Sequence, residues 1–221
     1  MLTKIHKALG IKTQLDSASA ASAKQALFTF DDGPDPTVTG SVLDVLDEVG
    51  AKAVFFVVGN RIQKAEHMLQ EVLDRGHLIG NHSHSHWPGN PPALPEYLAD
   101  VKNCQQRISD ACGYTPTLYR PPLGAVNLAT LATARKLNLD IYKWSLDTND
   151  WRLRDDSAAK TLGIELTNQV SHRDVILMHD DNIHTPVMLR EKLQRMSDQD
   201  FDLHSFVDTY HMRYTPARRS A

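Results

Sequence analysis

Two adjacent carboxylates and a pair of imidazoles four residues apart are the side chains of this sequence best suited to chemistry. The carboxylates lie in Thr29-Phe30-Asp31-Asp32-Gly33-Pro34 and the imidazoles in His82-Ser83-His84-Ser85-His86. A divalent cation needs about three protein ligands to be held while one position stays open for water. His82 and His86, at i and i+4, share one side of the chain if a helix starts after Asn81, and Asp32 is the natural third ligand. His84, between them, points away from that side. Consecutive side chains leave the backbone in different directions, so Asp31 is left to take a proton from a polarised water.

Each cluster follows a short apolar run, residues 26–30 and 77–80, as expected of side chains carried on the ends of buried strands. Further strand candidates are residues 53–58, 117–119, 139–146, 175–178 and 201–206. Helical faces alternate with them. Val42, Val45, Leu46 and Val49 precede Gly50, Met68, Leu69, Val72 and Leu73 precede Gly76, and Leu98, Val101, Cys104 and Ile108 precede Gly113. Repeated strand and helix alternation implies a mainly parallel α/β sheet, doubly wound or closed into a barrel. The run 88–95 carries four prolines, which remove backbone donors, and is expected to be a surface loop beside the histidines, neither helix nor central strand.

The 221 residues suit one domain. We expect an N-terminal arm and Ser/Ala-rich linker over 1–25, a catalytic domain over 26–210 and a C-terminal tail over 211–221. Leu2, Ile5 and Leu9 form a small amphipathic patch in the arm, whose plainer reading is a frayed end. With 24 basic against 27 acidic residues the net charge is −3, and no Lys/Arg block marks a nucleic-acid surface. No apolar run approaches the ~20 residues of a transmembrane helix, and none resembles a signal peptide. A cytoplasmic protein is expected, although a chain already relieved of its leader would read the same. Cys104 and Cys112 fall roughly 12 Å apart on one helix. A disulfide needs about 4.4–6.8 Å, so both are expected to be buried thiols. No feature sets an oligomeric state.

Three more clusters follow strand-like runs: Arg120-Pro121-Pro122-Leu123-Gly124, Asp147-Thr148-Asn149-Asp150-Trp151, and Leu177-Met178-His179. With the first two they resemble, in order and spacing, the five motifs of the polysaccharide deacetylase family of NodB-homology carbohydrate esterases, over about residues 26–180. The resemblance implies a distorted (β/α) barrel, usually of seven strands. It also implies a metal-dependent hydrolase that removes N-acetyl groups from amino-sugar units of an oligo- or polysaccharide and releases acetate. It makes Asp31 the base, Asp32, His82 and His86 the metal ligands, and His179 the acid that protonates the departing amine. Arg120 would fix a catalytic carboxylate, and Asp150 would pair with His179. Leu177 would line the acetyl pocket, with Trp151 and the Pro122–Leu123 turn as substrate-binding wall. Zinc suits the ligands best; cobalt, nickel or iron can occupy them too.

Each side chain also has an ordinary reading. Arg120 fits a structural ion pair, Trp151 and Trp87 fit core aromatics, His179 with Asp180 and Asp181 fits a helix cap, and Asp147 fits a turn acceptor. The family often carries an aromatic residue where Leu123 stands. A backbone N–H that helps hold an oxyanion survives that change, whereas the cleft wall does not. The same machinery would attack an O-acetyl ester or a non-sugar amide. A non-catalytic carbohydrate-binding domain is the third reading, and it is disfavoured because base, ligands and acid are all present.

Overall fold

The computed structural model describes residues 9–15, 23–88, 92–197 and 201–214. Among these residues eight strands and seven helices follow in order: β1 (Lys24–Asp31), α1 (Thr39–Glu48), β2 (Ala53–Val57), α2 (Glu66–Asp74), β3 (Leu78–Asn81), α3 (Leu94–Cys112), β4 (Leu118–Tyr119), α4 (Leu128–Lys136), β5 (Asp140–Ile141), β6 (Leu146–Asp147), α5 (Asp156–Thr167), β7 (Asp174–His179), α6 (Thr185–Ser197), β8 (Phe201–Asp202) and α7 (Ser205–Tyr214). Three 3-10 turns, Gly59–Lys64, Pro122–Gly124 and Asp150–Arg152, follow β2, β4 and β6. The sheet runs β5-β4-β3-β2-β1-β7-β6, with β8 beside β1 and every pairing parallel. This is the distorted (β/α) barrel of seven strands, a curved half-barrel whose edge strands are β5 and β6.

The central strands read as unbroken apolar runs because both faces are covered. Alternate residues serve different cores. Phe28 and Phe30 of β1 and Phe55 of β2 face the helices, packing with Val42, Leu46 and Leu189. Leu27, Val54, Phe56 and Val175 face the barrel interior. The two-residue period of a strand therefore sends Thr29 and Asp31 inward above Leu27, and Leu177 and His179 inward above Val175. The helices lay apolar stripes on the outside, and α3 ends at Gly113, whose φ of 67° is the left-handed stop that glycine adopts without steric cost.

Several expectations are corrected. The run 139–146 is two short strands, because residues 142–145 cross from the β4 side to the β7 side: Tyr142 N–H donates to the Tyr119 carbonyl and Ser145 N–H to the Val175 carbonyl, so β5 pairs with β4 and β6 with β7. Residues 201–206 hold a two-residue strand followed by α7. Of the proline-rich run, Pro92 and Ala93 are irregular, whereas Leu94 and Pro95 open α3, where a missing N–H costs nothing; residues 89–91 lie outside the described residues. Trp87, expected in the core, is 38% exposed. Ile11 and Leu15, assigned to the arm, are buried, and Lys12 pairs with Tyr142 while Gln14 pairs with Asp174, so this segment closes the barrel floor. Leu9 of the proposed patch is exposed; Leu2, Ile5, linker residues 16–22 and tail residues 215–221 lie outside the described residues. Cys104 and Cys112 are free thiols on α3, with Cys104 fully buried and pushed up to about 12 by burial, and Cys112 half-buried. No helix among the described residues is long and apolar enough to cross a membrane.

Candidate functional site

The first and last motifs meet because their strands are neighbours. Asp31 ends β1 directly opposite His179, which ends β7. Beneath Asp31, Arg120 is completely buried and fills the barrel interior. Its Nη1 donates to Asp31 Oδ1 at 2.7 Å and to Thr29 Oγ1 at 2.8 Å, while Nε and Nη2 donate to the carbonyls of Tyr142 and Lys143 in the link between β5 and β6. The guanidinium also lies 4.2 Å over the Phe56 ring and 5.7 Å from that of Trp144. One Asp31 oxygen is thereby fixed. The other lies 3.6 Å from His82 Nε2.

No helix forms after Asn81. Residues 82–87 are irregular, with Ser83 at φ 65° and His86 at φ 46°, and this loop brings the two rings to 5.1 Å between centroids. Asp32, itself at φ 74°, completes the cluster: its Oδ1 lies 3.2 Å from His86 Nε2 and 3.6 Å from His82 Nε2. Tetrahedral ligand atoms at about 2.0–2.1 Å from an ion stand about 3.4 Å apart, so the spacing fits a divalent cation. The donor chemistry fits as well. His82 Nδ1 is 2.7 Å from the Arg120 carbonyl, which fixes the proton there and leaves the Nε2 lone pair to the cluster. Asp32 Oδ1 is buried with no hydrogen-bond partner. Burial alone would raise the Asp32 carboxyl; His82, His86, His179 and Arg61 together outweigh it and hold the group below its usual range. Burial keeps His82 neutral, as a ligand must be. His84 lies outside the cluster, packed against Gly59.

On the opposite side, His179 Nδ1 is 2.8 Å from Asp150 Oδ1. Asp150 is fully buried and also accepts from His179 N–H and Thr185 Oγ1, at 2.8 and 2.7 Å. Burial pulls the imidazole down, but the Asp150 hydrogen bond and charge, aided by Asp31 and Asp32, raise it to about 9. A protonated ring held this way is a proton donor at neutral pH.

These groups open into a cleft of about 830 Å³. Leu177, Leu123 and Trp151 line it as the sequence suggests, and so does Asp147, which also accepts from Asn149 N–H as a turn acceptor. Pro122 does not line it: it is buried within its 3-10 turn. Leu123 takes φ 56° and is 63% exposed at the rim. Trp144 and Ile183 also line the cleft and were missed by sequence reasoning. The Trp in the apolar run 139–146 was an available signal for the first; Ile183, in a polar stretch, gave none. Asp180 was read only as a cap, yet it is buried, accepts from Thr39 Oγ1 at 2.6 Å, and is raised to about 7 by burial. Asp181 pairs with Arg61 at 2.8 Å on the cleft edge.

The family model for polysaccharide deacetylase matches residues 18–142. The chain is 32% identical over 191 residues to the peptidoglycan-N-acetylglucosamine deacetylase PgdA of Listeria monocytogenes, covering 86% of this chain and 40% of that protein. It is 33% identical over 180 residues to the peptidoglycan-N-acetylmuramic acid deacetylase PdaC of Bacillus subtilis, covering 81% of this chain and 37% of that one. The chain thus spans about two fifths of the length of these relatives. The solved structure of B. subtilis PdaC superposes with a TM-score of 0.77 at 31% identity, covering 87% of this chain and 93% of that chain.

Proposed function

The chain belongs to the polysaccharide deacetylase family, a metal-dependent family, and on that premise we propose that it hydrolyses the N-acetyl group of amino-sugar units in a glycan, peptidoglycan being the substrate class its relatives suggest. The observation that carries this reading is the pairing of Asp31 with His179 on adjacent strand ends, above a three-ligand cluster and inside one cleft.

Asp32, His82 and His86 would hold one divalent ion, zinc being the ion this donor set suits. Such an ion supplies Lewis-acid polarisation of the acetyl carbonyl and of water. Asp31, with one oxygen fixed by Arg120, accepts a proton from the attacking water as its oxygen bonds to the acetyl carbon. The Leu123 N–H is the proposed backbone donor to the developing oxyanion. His179 then gives its proton to the amide nitrogen as the C–N bond breaks, releasing acetate and a free amine, while Asp150 holds the ring and balances its charge. Leu177 lines the side of the cleft suited to the acetyl methyl, and Trp151 offers a flat apolar wall to a sugar ring. Asp31 and His179 recover their starting protonation by exchange with solvent.

The test is acetate release from chitooligosaccharides, peptidoglycan fragments, acetylated xylan and small N-acetylated sugars, using metal-stripped and Zn²⁺-reconstituted protein. Release from the N-acetylated glycans by the reconstituted form alone is expected. Release confined to the O-acetylated xylan would overturn the amide specificity.

A further inference from the structure

The loop that carries His86 has no helical hydrogen bonds to fix it, and two of its residues, Ser83 and His86, sit in the left-handed region without being glycine. Its geometry must therefore be imposed from outside. On one side, Gly59 N–H and Asn60 N–H donate to the carbonyls of Ser83 and His84, both at 3.0 Å. On the other side stands a single carboxylate from the second turn of α3. Asp100 Oδ2 accepts from His84 N–H at 3.0 Å and Ser85 N–H at 3.3 Å, and its Oδ1 accepts from Ser85 Oγ at 2.6 Å. Three donors of the two residues immediately before His86 thus converge on one side chain. The His86 N–H itself donates within the loop, to Ser83 Oγ at 3.1 Å.

We propose that Asp100 is a positioning residue for the metal cluster: it clamps residues 84–85 so that the His86 ring is held facing His82 and Asp32 before any ion arrives. The inference rests on the reading of Asp32, His82 and His86 as ligands. A triad whose third member hangs on a loop binds tightly only if that loop is already ordered, because otherwise binding must also order it. Groups that orient ligands commonly account for ten- to hundredfold in metal affinity. Asp100 acts through the backbone rather than through the ring, and it touches neither the water nor the substrate in the proposed reaction.

The experiment measures the Zn²⁺ dissociation constant of apo-protein by competition with a chromophoric chelator, for wild type, Asp100→Asn, Asp100→Glu and Ser85→Ala. Asp100→Asn replaces one acceptor oxygen by a donor, and Asp100→Glu keeps the charge but moves the carboxylate by a methylene; both should weaken Zn²⁺ binding by about ten- to hundredfold. Ser85→Ala removes one hydrogen bond and should weaken it by about two- to tenfold. Excess Zn²⁺ should restore deacetylation in all three, which a variant damaged only in its fold would not show. Wild-type affinity in both Asp100 variants overturns the proposal. So does wild-type affinity in Asp100→Glu alone, since a charge acting at a distance would then be sufficient. Should neither Asp100 variant fold, Ser85→Ala carries the test, and unchanged affinity there overturns it. A wild-type apo-protein that takes up no Zn²⁺ would overturn the metal reading itself, and this inference with it.

Discussion

Asp31 and Asp32 are neighbours in the chain with opposite environments, and that difference divides their work. Asp31 is buried against Arg120, whereas Asp32 turns through a left-handed φ toward two imidazoles. Asp31→Asn should keep near-stoichiometric metal but lower kcat by about two to four orders of magnitude, the range for losing a positioned proton acceptor. It should also lower unfolding stability by about 3–5 kcal/mol, because it leaves a buried guanidinium uncompensated. Asp32→Asn should instead lose metal affinity and regain part of its rate in excess Zn²⁺. Metal analysis beside steady-state kinetics decides between this assignment and its reverse. His179 offers a separate check by NMR titration of the apo-protein, where it should titrate at about 9 and fall toward 6.5 in Asp150→Asn. Because the folded value is raised, the stabilisation that His179 draws from Asp150 is complete below about 6.5 and is lost as pH rises through about 9. The alkaline arm of the rate profile should move down in the same variant.

The elements matter at their ends. The β1–α1 connection must carry Asp32 to the imidazoles, and it does so by packing Gly33 directly on Asp180. A Cβ at position 33 would lie 2.2 Å from Asp180 Oδ2. Asp180 cannot easily retreat, because Thr39 Oγ1 donates to it while accepting from Asp35 N–H at 2.8 Å. Gly33→Ala should therefore cost about 1–3 kcal/mol in denaturant unfolding and displace Asp32, with a parallel loss of Zn²⁺ affinity. An alanine variant that keeps both would show that the connection has slack the packing does not suggest.

Across the whole molecule, chemistry and stability occupy opposite ends of the barrel. Leu15 is buried in the interior cluster with Leu27, Val54 and Val175, and its N–H donates to the Arg173 carbonyl at 3.0 Å, one residue before β7 begins. His179 lies at the other end of that strand, roughly 17 Å away at about 3.3 Å per residue. Leu15→Ala should cost about 2–5 kcal/mol of stability and leave Zn²⁺ affinity of the folded protein unchanged, as read by chelator competition below the unfolding transition.

The strands and the helices α1, α2 and α3 were legible in the sequence, because a buried parallel strand must be apolar along its whole length and an outer helix along one stripe. The residues at the ends of those strands were legible for the same reason, since period and position alone send Asp31 and His179 toward one cavity. What the sequence could not convey is the path of the chain between elements. The i and i+4 spacing of His82 and His86 suggested a helix, yet a loop held by Asp100 and the 59–60 amides brings the rings together. Ser83 and Leu123 adopt positive φ although neither residue type favours it, so no residue type announced those turns. The floor formed by Ile11 and Leu15, the wall added by Trp144 and Ile183, and the burial of Asp180 likewise depend on contacts distant in sequence. Local pattern fixed which side chains sit on strand ends, because burial acts residue by residue. Only the tertiary structure decided how they face one another, because that depends on loops whose conformations are set by the groups packed against them.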